Sequence, residues 1–204
     1  MNSFDLHMHS CYSNDGEFTP QELIHMADAA HLTTIALSDH NTPKGIAEMV
    51  RLAEAKGIRV IPAMEFDTLF EELEVHVLGY GIDYEQPYFQ SLFNALSERK
   101  KAVQIKRVEK IREVFDLDID PAALLKRYAG KNPFPAIVHH IMEQYKDKKE
   151  FADYQPGGRR CEPQPVNFYW DMCSAGKPCY VRVEYPSLKD TVQRIHDAGG
   201  IAVL

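Results

Sequence analysis

The chain opens with FDLHMHSCYSND (4–15) and then Gly16. His7 and His9 stand two apart behind an apolar stub, and Asp15 follows within one loop. Side chains two apart on a strand point the same way, so both imidazoles can reach one centre. Further along, Asp39 and His40 follow TTIALS (33–38), Glu65 follows IRVIPA (58–63), and His76 lies in EVHVLGYG (74–81). Imidazole with carboxylate suits zinc, manganese or iron, whereas all-oxygen sites suit magnesium or calcium. Four histidines with at least two carboxylates exceed what one ion needs. Glu65 has the place of a bridge between two ions about 3.5–4 Å apart, the spacing that clamps both oxygens of a phosphoryl displacement.

The elements that must deliver these residues alternate regularly. Ser3–His7 reads as a short strand. Thr19-Pro20-Gln21-Glu22 reads as a helix start, with Thr at the N-cap, Pro next and Glu three after the cap. Leu23, Ile24, Ala27 and Ala30 then share one helical face. TTIALS is β-branched and apolar, as a buried strand would be. Thr42-Pro43 restarts a helix with Ile46, Met49, Val50 and Ala53 inward, ended by Gly57, and IRVIPA is the next buried strand. EVHVLGYG makes a fourth strand, reached through the acidic turn at 70–74. In α/β barrels the carboxyl ends of the strands form the functional face. Strand and helix alternating at this interval call for a parallel sheet or barrel.

From Pro87 the pattern changes. Residues 88–115 read as one long charged helix, 120–128 and 136–145 as shorter ones, and 153–165 as a loop rich in Pro and Gly. Three segments follow: 1–84 and 179–204 as portions of a barrel, with 85–178 as a helical insertion. Ser187 caps a further helix, and GGIAVL (199–204) begins a strand where the sequence stops, so the chain reads as truncated at its C-terminus. His25, His31 and His196 are isolated and read as surface or core residues. The adjacent His139-His140 pair reads as structural, because neighbouring helix positions do not face each other. Tyr169 and Trp170 read as packing residues before base-stacking ones.

In combination, DLHMHSCYSND, LSDHNT, IPAMEF and VHVLGYG resemble the successive motifs of the PHP (polymerase and histidinol phosphatase) family. The resemblance runs in order over residues 4–81, and the middle section resembles the insertion of the subgroup acting on nucleotides and short oligonucleotides. It implies a distorted (β/α)7 TIM-like barrel with two or three divalent ions: manganese, zinc or iron, with magnesium as a further candidate. By motif, His7 and His9 would hold one ion and Glu65 would bridge. Asp15, His40 and His76 would serve the neighbouring ions, and Asp39 would orient a ligand. The catalytic set is then Asp39, His40 and Glu65. Two departures stand out: Asn14 follows Ser13 where the family places Asp, and the family's late His, Asp and His are missing from this chain.

The expected reaction is hydrolysis of a phosphate ester by a metal-activated hydroxide, on a nucleotide or short oligonucleotide. A histidinol-phosphate-type phosphomonoesterase is the runner-up, and a metal-poor PHP scaffold is the reading from another class. Arg159, Arg160 and Lys177 are candidates for a second phosphate. The 204 residues carry 23 Lys+Arg against 30 Asp+Glu, a net −7, which argues against broad binding of duplex nucleic acid. Four cysteines without CxxC spacing, no apolar run of membrane length and no secretory leader lead to the expectation of a soluble, cytoplasmic protein without a membrane partner.

Overall fold

A reciprocal cap starts the first helix where the sequence places it. In the computed structural model, which describes residues 3–130 and 132–204, the Thr19 N–H donates to Glu22 Oε2 at 2.8 Å. The Glu22 N–H returns a bond to Thr19 Oγ1 at 3.3 Å. Helix α1 (Pro20–Ala29) follows strand β1 (Phe4–Met8), and helix α2 (Ile46–Glu54) follows strand β2 (Thr34–Leu37). Leu23, Ile24 and Ala27 of α1 pack with Met49 and Ala53 of α2 against Ile35 and Leu37 of β2. Ile35, Ala36 and Leu37 are all buried, as the continuous apolar run requires of a strand covered on both faces.

Strands β1, β2 and β3 (Arg59–Phe70) are parallel, as the alternation demands. Strand β4 (Leu73–Tyr80) departs from the expected parallel arrangement. It pairs antiparallel with β3 over eight residue pairs, from Ala63↔Tyr80 to Phe70↔Leu73, and only Glu71 and Glu72 lie between the strands. The reason is local: two residues can turn a hairpin, whereas a parallel return needs a crossover of a dozen or more. Strand β5 (Ile201–Val203) adds antiparallel to β4, which completes an α/β fold around a five-stranded sheet of order β1-β2-β3-β4-β5. Among the described residues this sheet is open, with β1 and β5 at its edges, so the expected barrel closure is not seen. Strand β3 is also longer than the expected 58–63, and Glu65 is inside it instead of beyond its end.

The remaining helices are α3 (Pro87–Phe115), α4 (Pro121–Arg127), α5 (Phe134–Gln144), α6 (Gln164–Phe168) and α7 (Leu188–Asp197). A 3-10 turn at Lys149–Tyr154 enters the expected 153–165 loop, and a π-helical turn covers Tyr169–Cys173. By contact density the chain forms two units, one running to Ser97 and resuming at Tyr185–Leu204, the other Glu98–Glu184. The first holds the sheet and an apolar cluster of Met64, Phe66, Val77, Ile82, Phe89 and Ile195. The second has its own core, including Val108, Ile111, Phe115, Phe134, Ile137, Phe151 and Phe168. No helix among the described residues is long and apolar enough to cross a membrane.

Phe66 is fully buried and its ring centroid lies 5.9 Å from that of Phe89. Phe66→Ala should lower unfolding stability by about 3–5 kcal/mol, measured by denaturant titration.

Candidate metal centre

Alternation along β3 decides which side chains meet. Met64 and Phe66 go into the apolar cluster, so Glu65 and Asp67 face the other way. Four imidazoles converge on buried Glu65. His7 Nε2 is 2.7 Å, His9 Nε2 3.3 Å and His40 Nε2 3.6 Å from Oε2, and His76 Nδ1 is 2.9 Å from Oε1. Each arrives from a different stretch of chain: β1, the loop after it, the segment after β2, and β4. Consecutive rings stand 4.9–5.1 Å apart from centroid to centroid.

Hydrogen bonds fix these positions. Buried Asp39 accepts from the backbone N–H and the Oγ–H of Ser10, both at 2.6 Å, and so pins the loop that carries His9 and Asp15. These bonds give Asp39 a loop-holding part, next to the ligand-orienting one expected. The Ser13 hydroxyl donates to Asp15 Oδ1 at 2.6 Å and accepts from the His40 N–H at 3.1 Å. The loop then turns through Gly16, where a Cβ would stand 2.0 Å from the Ser10 carbonyl oxygen. The Tyr80 hydroxyl donates to the Leu6 carbonyl at 2.8 Å, directly before His7.

Asp67 is the site residue that the sequence reading missed. Its Oδ1 lies 2.6 Å from His40 Nδ1 and 3.5 Å from His76 Nε2. A carboxylate on the far nitrogen of an imidazole fixes the ring and raises its basicity as a ligand. It turns His40 Nε2 toward Asp15 Oδ2 at 3.2 Å. The signal was present: Glu65 and Asp67 share the two-residue spacing of His7 and His9. A strand ended at residue 63 hid it.

Three groups able to hold an ion arise among the described residues: His7, His9 and Glu65; His9, Asp15 and His40; His40, Asp67 and His76. Within each, the ligand atoms lie within 4.8 Å of one another. His9 Nδ1 is buried without a hydrogen-bond partner, an orphaned lone pair that a cation would satisfy. The donor set and this orphan fit a divalent transition ion. By contrast, Arg159, Arg160 and Lys177 all lie in the second unit. Arg159 bonds Asp153 at 2.9 Å, and Arg160 grips Asp171 through two bonds of 2.9 and 2.8 Å.

Proton affinities are shifted together. Burial alone would raise the Glu65 carboxyl, but the bonds from His76, His9 and His7 and the charge of His40 outweigh it and hold its pKa far below the usual range. The bond to Glu65, then the Glu74 carboxylate 3.8 Å from Nε2, pushes His76 up to about 10 against the opposing effect of burial. Burial disfavours the His40 imidazolium, yet the bond to Asp67 and the charges of Asp67, Glu65 and Asp15 raise it. Asp15 is lowered although burial opposes this, chiefly by its bond from Ser13.

The PHP domain model matches residues 5–198. The chain belongs to the PHP domain family. Over 203 residues it is 30% identical to a 5'-3' exoribonuclease of Haemophilus influenzae, covering 98% of this chain and 67% of that relative. Over 209 residues it is 29% identical to the 3',5'-nucleoside bisphosphate phosphatase of Chromobacterium violaceum, covering 100% and 66%. A solved amidohydrolase structure from Chromobacterium violaceum, with bound sulfate and no metal, matches with a TM-score of 0.69 at 25% identity, covering 99% of this chain and 66% of that one. This PHP chain thus spans about two thirds of the length of these relatives.

Two outcomes follow for the PHP centre. Asp67→Ala should weaken metal affinity by roughly 10–100-fold in a chelator competition, and His7→Ala/His9→Ala should abolish stoichiometric binding in elemental analysis. The pH dependence has a defined sign. The proton on His76 stabilises the metal-free fold fully below its ordinary 6.5, and that contribution is lost as pH rises through about 10. Ionised Glu65 stabilises the fold above its ordinary 4.5 and ceases to do so on acidification through its depressed pKa. Metal-free Tm should therefore fall as pH climbs from 6.5 toward 10, while metal affinity climbs over the same range because binding expels the His76 proton.

Proposed function

We propose that the chain is a metal-dependent phosphoesterase that hydrolyses small phosphorylated substrates, in the first place nucleotides or the 5' ends of short oligonucleotides. The observation that carries the reading is the sharing pattern of the three groups. His7, His9 and Glu65 have no member in common with His40, Asp67 and His76, so two ions can be held without any side chain serving twice. Asp15 stands between the sets, 3.2 Å from His40 Nε2 and 3.8 Å from His9 Nδ1. The substrate class is supported by the names of the relatives, an exoribonuclease and a nucleoside bisphosphate phosphatase, and by the sulfate bound in the structural neighbour, a tetrahedral oxyanion like phosphate.

Bound there, divalent ions supply Lewis acidity that activates water near neutral pH and offsets charge on phosphoryl oxygens. The chain's own residues prepare for this. Glu65 remains ionised because its neighbours hold its pKa down, and its two oxygens face different imidazoles, Oε2 toward His7 and Oε1 toward His76. Asp67 holds the His40 ring in one plane. Asp39 and Ser13 keep the first loop, and with it Asp15, at a fixed distance from the histidines. Manganese, zinc and iron all suit this donor set.

The same proposal extends to the architecture. That 1–84 and 179–204 are portions of a PHP barrel, with 85–178 inserted, is supported by the parallel start of the sheet and by the separate core of Glu98–Glu184. None of the four cysteines is in a disulfide, which suits a reducing cytoplasm.

The test is turnover of a nucleoside 3',5'-bisphosphate and of a 5'-phosphorylated short RNA by the manganese-loaded protein. Glu65→Gln should lower kcat by at least about 100-fold while the variant remains folded. No turnover of either substrate with metal stoichiometrically bound would sink the reading.

A further inference from the structure

The second unit holds a largely buried guanidinium with no carboxylate partner among the described residues. Arg107, on α3, is 8% exposed, and its Nε is buried with no hydrogen-bond partner. Among the described residues its hydrogen bonding is a single contact from Nη1 to Gln104 Oε1 at 3.4 Å, near the limit of a real bond. The guanidinium carbon lies 5.4 Å from the Phe134 ring centroid and 5.3 Å from that of Tyr169. No carboxylate among the described residues pairs with it, although Arg159 and Arg160 in the same unit each hold an aspartate.

A guanidinium is a permanent cation in proteins. An unpaired buried charge is penalised far more than two aromatic faces can return. Cys173 is a poor source of negative charge beside it, since its bond with Cys179, and then burial, push its thiol up while the same bond lowers that of Cys179. Tyr169 opens the π-helical turn Tyr169–Cys173, a local geometry frequent at functional sites.

We propose that Arg107 anchors a binding site for a phosphate-class oxyanion in the second unit, with Phe134 and Tyr169 holding the guanidinium plane. The planar fork of N–H donors matches a tetrahedral oxyanion through two parallel bonds. The rings fix that fork in advance, so little side-chain freedom is lost when the anion arrives. The site does not depend on the hydrolytic reading, since no residue of the metal centre takes part in it.

The chain carries its own reporter. Trp170, its single tryptophan, is 60% exposed and packs edge-on to Tyr169 with centroids 5.5 Å apart. Inorganic phosphate is titrated into the full chain with a chelator present and ionic strength constant, while Trp170 emission and Tm are followed. Wild type should give a saturable change in emission and a rise in Tm. Arg107→Lys should bind about tenfold more weakly or worse, Arg107→Met should show neither response, and His7→Ala/His9→Ala should keep both. A wild type without a saturable response, an Arg107→Lys protein of unchanged affinity, an Arg107→Met protein that still responds, or a loss confined to the histidine variant would each overturn the proposal. If Arg107→Met does not fold, the lysine variant and the wild-type titration decide.

Discussion

One buried carboxylate organises the first unit. Glu65 sits inside a strand, away from water, and is tolerable there because four imidazoles stand 2.7–3.6 Å from its oxygens. Those imidazoles come from four separate stretches of chain, so the carboxylate is satisfied only when β1, β2, β3 and β4 are all in register. Asn41 provides the clip. Its N–H bonds the Glu65 carbonyl at 2.8 Å, and its Oδ1 accepts the Asp67 N–H at 3.1 Å. It does this in the left-handed region, at φ 54°, a conformation that Asn tolerates better than most side chains do. Packing and backbone conformation thus agree at one point in the sheet.

Much of this was legible in the residues. The pair at 7 and 9 announces one facing set by spacing alone, and Thr19 with Glu22 announces a helix start by a reciprocal cap. Positions 35–37 announce a buried strand because nothing polar interrupts them. What stayed hidden was longer-range. The apolar run IRVIPA marks a strand over 58–63 and leaves the polar residues at 65 and 67 outside it, whereas the strand spans Arg59–Phe70. Glu65 and Asp67 are the site-facing half of an alternation whose apolar half, Met64 and Phe66, is fully buried, and they are buried as well. The acidic turn at 70–74 was legible, but the antiparallel pairing it creates was not, because a strand reached by two residues breaks the βα rhythm established before it. Arg107 could not be found at all: within a helix rich in Lys, Arg and Glu, an unpartnered arginine has the same sequence appearance as a solvated one.

The two units treat buried charge in opposite ways. In the first, an acidic group is surrounded by bases whose protons are exchangeable, so its electrostatics respond to pH and to cations. In the second, a guanidinium lies against two aromatic rings and has no carboxylate paired with it among the described residues. Each unit has its own apolar core.

The hairpin limits how the chain can vary in length. Asp67 faces His76 across it, while Phe66 faces Val77 on the opposite, apolar side. Removing one residue between the turn and His76 would exchange those faces, placing an imidazole in the core and a valine among the carboxylates. Removing two would restore the face but carry the ring along the strand by roughly 7 Å, well beyond its 2.9 Å contact with Glu65. Residues 73–75 therefore act as a ruler of fixed length, and growth or shrinkage of this hairpin is confined to its turn.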